Sequence, residues 1–204
     1  MIPSDAELCA AAAAAYVSPA TFVVSDIHAV VTSIGGLIVV AFRGTVPTSW
    51  RDWFRDIDAV PTPVMDHPRL GYCHRGFMSG AEAIVPMLLP ILTGSFYLTG
   101  HSLGGALAVS AAALMTDLGR PPVVLTTFGA SRVGVGARLA EVLAGVPGRS
   151  YRYGNDPVVE VPIWPFRHHR ALTDIGVAEI DAIADHAISA YAAALTPVLD
   201  IVKA

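Results

Sequence analysis

The stretch from Tyr97 to Leu114, YLTGHSLGGALAVSAAAL, most constrains how this chain can fold. An apolar run typical of a strand meets a Gly-x-Ser-x-Gly turn, and a run typical of a helix follows. Small residues in such a turn can serve packing alone, because they let a helix lie close to a sheet. A nucleophile elbow needs the same strand, sharp turn and helix, with glycine two residues before and after the serine to avoid steric clash. This context favours Ser102, between Gly100 and Gly104, as a nucleophile held out at the end of a strand.

Strand-like and helix-like segments alternate along the rest of the chain. Apolar and β-branched runs predict strands, and apolar residues at helical spacing predict helices. The alternation predicts an α/β fold with a mostly parallel sheet covered on both faces, built as a single domain over residues 1–204. The predicted strands are 27–32, 37–42, 96–99, 123–128, 150–153 and an edge strand at 172–175, and the predicted helices are 5–16, 48–57, 77–92, 102–118, 138–143 and 185–195.

Composition excludes several classes of protein. The formal net charge is −4 and no cluster of Lys or Arg is present, which argues against nucleic-acid binding. Two cysteines, Cys9 and Cys73, make neither a disulfide framework nor a metal-ligand set, and are expected to be small buried apolar groups. Residues 83–116 carry no charged side chain, but prolines and glycines interrupt them, so they are read as core elements and not as a membrane span.

A serine hydroxyl needs a base to accept its proton, and a histidine base needs a carboxylate to orient it. Elbow architecture places these groups in the chain order serine, acid, histidine. Asp156 is the favoured acid because it follows a predicted strand and Pro157 forces the chain to turn away. The candidate bases are the histidines that follow Ser102 in the chain, His168, His169 and His186. The other open choices for the acid are Asp174, Asp181 and Asp185.

Several segments in order resemble the class 3 lipases of the α/β-hydrolase superfamily. The nucleophile motif TGHSLGGALA at 99–108 is the most specific of them. The others are VVAFRGT at 39–45, CHRGF at 73–77, TFGASRVG at 127–134, GNDPVVEVP at 154–162 and DHAISAY at 185–191. The resemblance covers most of the chain and implies the α/β-hydrolase fold.

The resemblance assigns roles residue by residue. It implies that Ser102 is the nucleophile, Asp156 the orienting acid and His186 the general base. It further implies an oxyanion hole made by Thr45 on the first loop and by the backbone N–H of Leu103. Such a site forms an acyl-enzyme and needs neither a metal nor an organic cofactor.

The implied activity is that of a serine carboxylic-ester hydrolase, a carboxylesterase or small lipase for short-to-medium acyl esters. Trp50, Trp53 and Phe54 lie in a candidate lid at 46–58, where they would face an acyl chain or a lipid surface, unless they simply pack on the domain. Phospholipase A1, feruloyl esterase, thioesterase and acyltransferase activities, and a non-catalytic binding module, are the alternatives.

The sequence also bears on location and assembly. The start MIPSDAEL lacks the basic residues of a signal peptide. This favours a cytoplasmic location for the chain as given, and secretion if a leader was removed. The oligomeric state is left open.

Overall fold

A computed structural model describes residues 2–44 and 59–196 of the chain. The helices are α1 (Asp5–Ala14), α2 (Arg75–Leu88), α3 (Leu103–Asp117), α4 (Arg138–Leu143) and α5 (Ile188–Leu195). The strands are β1 (Phe22–Val24), β2 (Ile27–Ile34), β3 (Leu37–Phe42), β4 (Pro61–Pro63), β5 (Tyr72–His74), β6 (Phe96–His101), β7 (Val124–Phe128), β8 (Gly134–Val135), β9 (Ser150–Tyr153), β10 (Phe166–Arg167) and β11 (Leu172–Ile175).

The central sheet has seven strands in the order β1-β2-β3-β6-β7-β9-β11. The pairs from β3 to β11 are parallel, whereas β1, β2 and β3 pair antiparallel. The predicted mostly parallel sheet is therefore confirmed, with β11 at its edge. Because parallel strands all end at the same side, the carboxyl ends of β3, β6, β7 and β9 form one rim of the sheet.

Helices cover both faces of this sheet, as predicted. Alternate residues of β3 face opposite cores: Val40 and Phe42 join a large core with α2, α3 and α4, while Val39 and Ala41 join a second core with α1 and α5. The two-residue alternation of a strand is what allows one strand to serve both cores.

A capping box fixes the start of α1. The Ser4 hydroxyl accepts from the Glu7 N–H at 3.3 Å, and the Glu7 carboxylate accepts from the Ser4 N–H at 2.8 Å. The predicted helix at 5–16 thus exists and ends two residues earlier. Within the described residues, none of the helices is long and apolar enough to cross a bilayer.

Two predicted helices differ from the structure. Helix α2 begins at Arg75, runs through Pro86 and ends at Leu88, before Pro90, whereas the predicted helix covers 77–92. The predicted helix at 185–195 begins only at Ile188, because Ala184–His186 form a 3-10 turn and Ala187 is extended. The predicted helix at 48–57 lies outside the described residues.

A second, four-stranded antiparallel sheet was not predicted. Its order is β10-β8-β5-β4, and each strand has only two or three residues. Both cysteines are buried and burial raises the pKa of each thiol to about 12, as expected for apolar core residues.

Candidate active site

Ser102 occupies the sharp turn between β6 and α3. Its backbone angles are φ 60° and ψ −130°, a conformation that residues with a Cβ rarely adopt. Its N–H donates to the carbonyl of Phe128 at 3.0 Å, which ties the turn to the end of β7. The side chain is 1% exposed. The turn therefore holds one serine in a strained conformation at the carboxyl rim of the sheet.

The glycines of the motif are required by close backbone approaches. A Cβ on Gly100 would overlap the carbonyl of Gly104, and a Cβ on Gly104 would overlap the carbonyl of Phe42 on β3. These contacts confirm the steric argument made from the sequence. They also show that the motif serves packing as well as the conformation of Ser102, because Gly105 lets α3 approach Ala130, where a Cβ would lie 2.7 Å away.

Asp156 and His186 form a buried pair. The Nδ1 of His186 lies 2.8 Å from Oδ2 of Asp156, and each residue is 1% exposed. Asp156 follows β9, and Pro157 starts a 3-10 turn directly after it; the N–H of Val158 donates to Oδ1 at 2.8 Å. Since a carboxylate only accepts, Nδ1 of His186 donates, which leaves Nε2 as the proton-accepting nitrogen.

A tyrosine completes the surroundings of the acid. The Tyr191 hydroxyl donates to Oδ2 of Asp156 at 2.5 Å, the same oxygen that faces His186. Burial, and next the charge of Asp156, raise the pKa of Tyr191, so the phenol remains a donor. With three donors on two oxygens, the carboxylate is held in one orientation.

Gly129 connects this pair to the serine turn. It directly follows Phe128, whose carbonyl binds the N–H of Ser102, and it has a φ of 55°. A Cβ built on Gly129 would lie 2.6 Å from Oδ2 of Asp156 and 3.1 Å from Cε1 of His186. The serine turn, the acid and the imidazole thus meet around one glycine at the ends of β6, β7 and β9.

The other candidates for the acid form hydrogen bonds with groups other than the His186 side chain. The Asp185 carboxylate is buried and accepts from the N–H of Asn155 at 2.7 Å, next to Asp156 in the chain. Asp174 pairs with Arg152 at 2.7 Å, and Asp181 caps the N–H of Ile183 at 3.0 Å. Only Asp156 among these four carries a described hydrogen bond to His186.

The other candidate histidines make structural contacts. Nε2 of His168 donates to the carbonyl of Val159 at 2.7 Å. His169 accepts from Nε of Arg170 at 2.8 Å and is buried. Its burial follows from Arg170, which also donates to the carbonyls of Val146 and Gly148 and draws this loop against the sheet.

Part of the predicted site lies outside the described residues. This part comprises Thr45, Trp50, Trp53 and Phe54. Leu103 is described: it is the first residue of α3 and half-buried. Its N–H belongs to the first turn of a helix, where backbone N–H groups have no carbonyl partner within the helix. Of the two predicted donors of the oxyanion hole, the structure therefore describes only the N–H of Leu103.

Sequence reasoning missed the roles of Tyr191 and Asp185 in this site. Tyr191 was assigned to a helix by its apolar spacing, and that spacing does not reveal that its hydroxyl reaches Asp156. Asp185 was weighed only as a rival acid, although its neighbour His186 already marked it as a residue of the site. In the structure it joins the loop before His186 to the turn before Asp156.

Three histidines that are buried or half-buried should make the stability depend on pH. Burial, the largest cause in each case, lowers the pKa of His101, His168 and His169 below the usual 6.5. Below pH 6.5 the unfolded chain binds protons that the folded chain does not, so the free energy of unfolding will fall as pH falls. Each histidine contributes up to about 1.4 kcal/mol per pH unit.

Urea unfolding between about pH 5.5 and 7.5 measures this slope. The variant His169→Gln lacks one of the three groups and should show a shallower slope. An equal slope in the variant and the wild type would contradict the assignment to His169.

Comparisons with known proteins agree with the geometry. The sequence profile of the family described as Lipase (class 3) matches residues 39–166. The chain belongs to the class 3 lipase family. The match contains Ser102 and Asp156, and His186 lies beyond its end. This member of the family has the α/β-hydrolase fold, as the resemblance implied.

Individual relatives cover the chain in part. The secreted mono- and diacylglycerol lipase 1 of Fusarium solani is 31% identical over 143 residues, which are 64% of this chain and 41% of that protein. The solved lipase of Rhizopus microsporus var. chinensis is 26% identical with a TM-score of 0.64, over 78% of this chain and 61% of the other. The aligned part of this chain thus covers less than half of that Fusarium protein.

A further solved structure bears on the triad. It is a triacylglycerol lipase whose catalytic centre is a serine protease triad, and it is 26% identical with a TM-score of 0.62, over 77% of this chain and 64% of the other. A protein with a similar fold therefore uses a serine protease triad as its catalytic centre.

Proposed function

We propose that this chain is a serine carboxylic-ester hydrolase, a carboxylesterase or lipase acting through an acyl-enzyme. The observation that carries the proposal is the buried contact of 2.8 Å between His186 and Asp156 beside the strained turn of Ser102. A strained serine, an oriented imidazole and a buried carboxylate are the parts that nucleophilic acyl transfer requires. A binding module that kept only the fold would need none of them.

The proposed mechanism follows from the roles of these groups. Oγ of Ser102 attacks the carbonyl carbon of the ester while Nε2 of His186 accepts its proton. The N–H groups of Leu103 and Thr45 stabilise the negative charge that develops on the carbonyl oxygen. The tetrahedral intermediate collapses, and His186 donates the proton to the departing alcohol. Water, deprotonated by the same imidazole, then cleaves the acyl-enzyme and releases the acid.

Apolar surface close to the end of the candidate lid supports an acyl or lipid substrate. Ile163 and Trp164 are 74% and 78% exposed. They line a cavity of about 340 Å³ together with Ala59, the first residue described after the candidate lid. Trp50, Trp53 and Phe54 remain predicted substrate contacts. We propose short-to-medium acyl esters or acylglycerols as the substrate class, with transient contact between the protein and a lipid surface.

Location and alternative reactions belong to the same proposal. The relative from Fusarium solani is named as secreted, so secretion is to be tested against the cytoplasmic location that the sequence favours. Phospholipase A1, feruloyl esterase, thioesterase and acyltransferase activities use the same three groups on a different ester or acceptor. Substrate panels separate these activities.

Labelling by a fluorophosphonate tests the proposal directly. The wild type should be labelled covalently at Ser102, because the probe reacts with a serine activated by its histidine. The variant Ser102→Ala should fold and remain unlabelled, and Ser110→Ala, which removes another buried hydroxyl, should be labelled like the wild type. A folded wild type that neither reacts with the probe nor hydrolyses esters would support the binding module instead.

A panel of p-nitrophenyl esters of rising chain length measures the acyl preference. We expect kcat/KM to be highest for short-to-medium chains. A sharp rise in rate once a triglyceride exceeds its solubility would instead identify an interfacial lipase.

A further inference from the structure

A chain of two hydrogen bonds leads from Tyr16, whose hydroxyl lies against Gly44, to the backbone of His186. The hydroxyl of Tyr16 lies 2.7 Å from Nδ1 of His101, and Nε2 of His101 lies 2.8 Å from the carbonyl oxygen of His186. No step of the proposed mechanism uses Tyr16 or His101.

The donors and acceptors permit one arrangement of protons. The His186 carbonyl only accepts, so Nε2 of His101 donates. In a neutral imidazole the other nitrogen then accepts, so the Tyr16 hydroxyl donates to Nδ1. Burial, and next the proximity of His186, lower the pKa of His101 far below its usual value, and burial raises the pKa of Tyr16. Both groups therefore stay neutral and keep this direction of donation.

Close packing around Gly44 adds a second restraint on these hydrogen-bonded residues. A Cβ on Gly44 would overlap the Tyr16 hydroxyl and would lie 2.8 Å from the carbonyl oxygen of His101. The backbone at the end of β3 is thus pressed against both members of the chain. Gly44 immediately precedes Thr45, the predicted oxyanion residue, so one end of the chain sits at the entry to that loop.

The other end of the chain holds the base. Asp156 fixes the ring of His186 through Nδ1, whereas His101 fixes its backbone through the carbonyl. The two imidazole rings lie 4.6 Å apart between their centroids, with 30° between their planes. The ring and the backbone of His186 are therefore restrained by different partners, one in the turn after β9 and one at the end of β6.

We propose that Tyr16 and His101 are positioning residues that set the base and the entry to the oxyanion loop relative to each other. The inference rests on the proposed hydrolase function. It assigns to Tyr16, more than 80 residues before the nucleophile, an effect on turnover that exceeds its effect on folding. A displacement of reacting groups by a fraction of an ångström is enough to slow an acyl transfer.

Tyr16→Phe tests this role, with Tyr151→Phe as the matched control. The Tyr151 hydroxyl donates to Asp5 at 2.7 Å and ties the other end of the α1 region to the sheet, away from the site. Both variants lose one hydroxyl and should lose similar thermal stability. On a soluble p-nitrophenyl ester we expect Tyr16→Phe to lower kcat about tenfold with KM changed less than about twofold, and Tyr151→Phe to leave both unchanged.

Substitutions of His101 separate positioning from packing. In His101→Gln the side-chain amide can still donate to the His186 carbonyl, so we expect kcat to stay closer to the wild type than in His101→Leu, which has no donor. Equal losses in the two variants, at equal stability, would overturn the role of this hydrogen bond. Wild-type kcat in Tyr16→Phe, or an equal fall in Tyr151→Phe, would overturn the role of the chain.

Nitrogen-15 spectra of the wild type near neutral pH test the chain without relying on turnover. We expect His101 to appear as the neutral tautomer with the proton on Nε2. A proton on Nδ1 would contradict the deduced direction of donation. An inactive wild type with the expected tautomer would defeat the proposed function while leaving the hydrogen bonds in place, whereas an active wild type with an unaffected Tyr16→Phe variant would defeat this inference alone.

Discussion

Replacing His186 by alanine will lower kcat for a p-nitrophenyl ester about 10⁴- to 10⁶-fold. The Nδ1 contact with Asp156 leaves Nε2 as the only basic atom that the described site directs toward proton transfer from Ser102. Without it the hydroxyl has no acceptor for its proton, and the departing alcohol has no donor. Initial rates at saturating ester, with the fold checked by circular dichroism, measure the effect.

His169→Gln is the matched control for this result. His169 is buried and bonded to a neighbouring side chain, as His186 is, but its partner is Arg170 and no carboxylate. We expect the control to keep kcat within about threefold of the wild type even where it loses stability. Loss of turnover in His169→Gln with a retained rate in His186→Ala would show that the base is misassigned.

Replacing Gly104 by alanine will destabilise the fold by roughly 3 kcal/mol or more. The added Cβ would overlap the carbonyl oxygen of Phe42, which is backbone of the neighbouring strand and cannot rotate away. Relief requires α3 to move off the sheet, and α3 supplies a continuous run of buried residues to the larger core. Urea unfolding of the purified variant measures the loss.

The control for Gly104→Ala is Gly94→Ala. A Cβ on Gly94 would meet no atom within 4 Å, and its backbone is not in the left-handed region. This variant should be as stable as the wild type or slightly more stable, since alanine restricts the unfolded chain. Equal stability of the two variants would mean that α3 does not lie as close to β3 as the structure places it.

The elements that position the site were largely predictable from the sequence. The hairpin of β2 and β3 and the strand β7 come from apolar or β-branched runs, whose pattern follows from burial. The turn at Ser102 was predictable because glycines at fixed positions mark close backbone contacts. The order serine, acid, histidine left Asp156 and His186 among few choices.

Three-dimensional contacts between distant residues were not predictable in the same way. The second sheet is made of strands too short to show a period, and they pair only because neighbouring elements bring them together. In the sequence, Tyr16 and Tyr191 look like ordinary core residues, and nothing indicates what their hydroxyls bind. Their partners, His101 and Asp156, lie far away along the chain, and no local pattern records such a pairing.

The bridge made by Asp185 has a consequence for how this protein can change. It fastens the stretch before the imidazole to the turn before the acid, so the two are spaced by a direct bond and not by the thirty residues that separate Asn155 from Asp185. The exposed segment around Ile163 and Trp164 lies between these two points, so it can change in length or polarity at small entropic cost. Substitutions in this segment can therefore change the preference for one ester over another while the arrangement of Asp156 and His186 is kept.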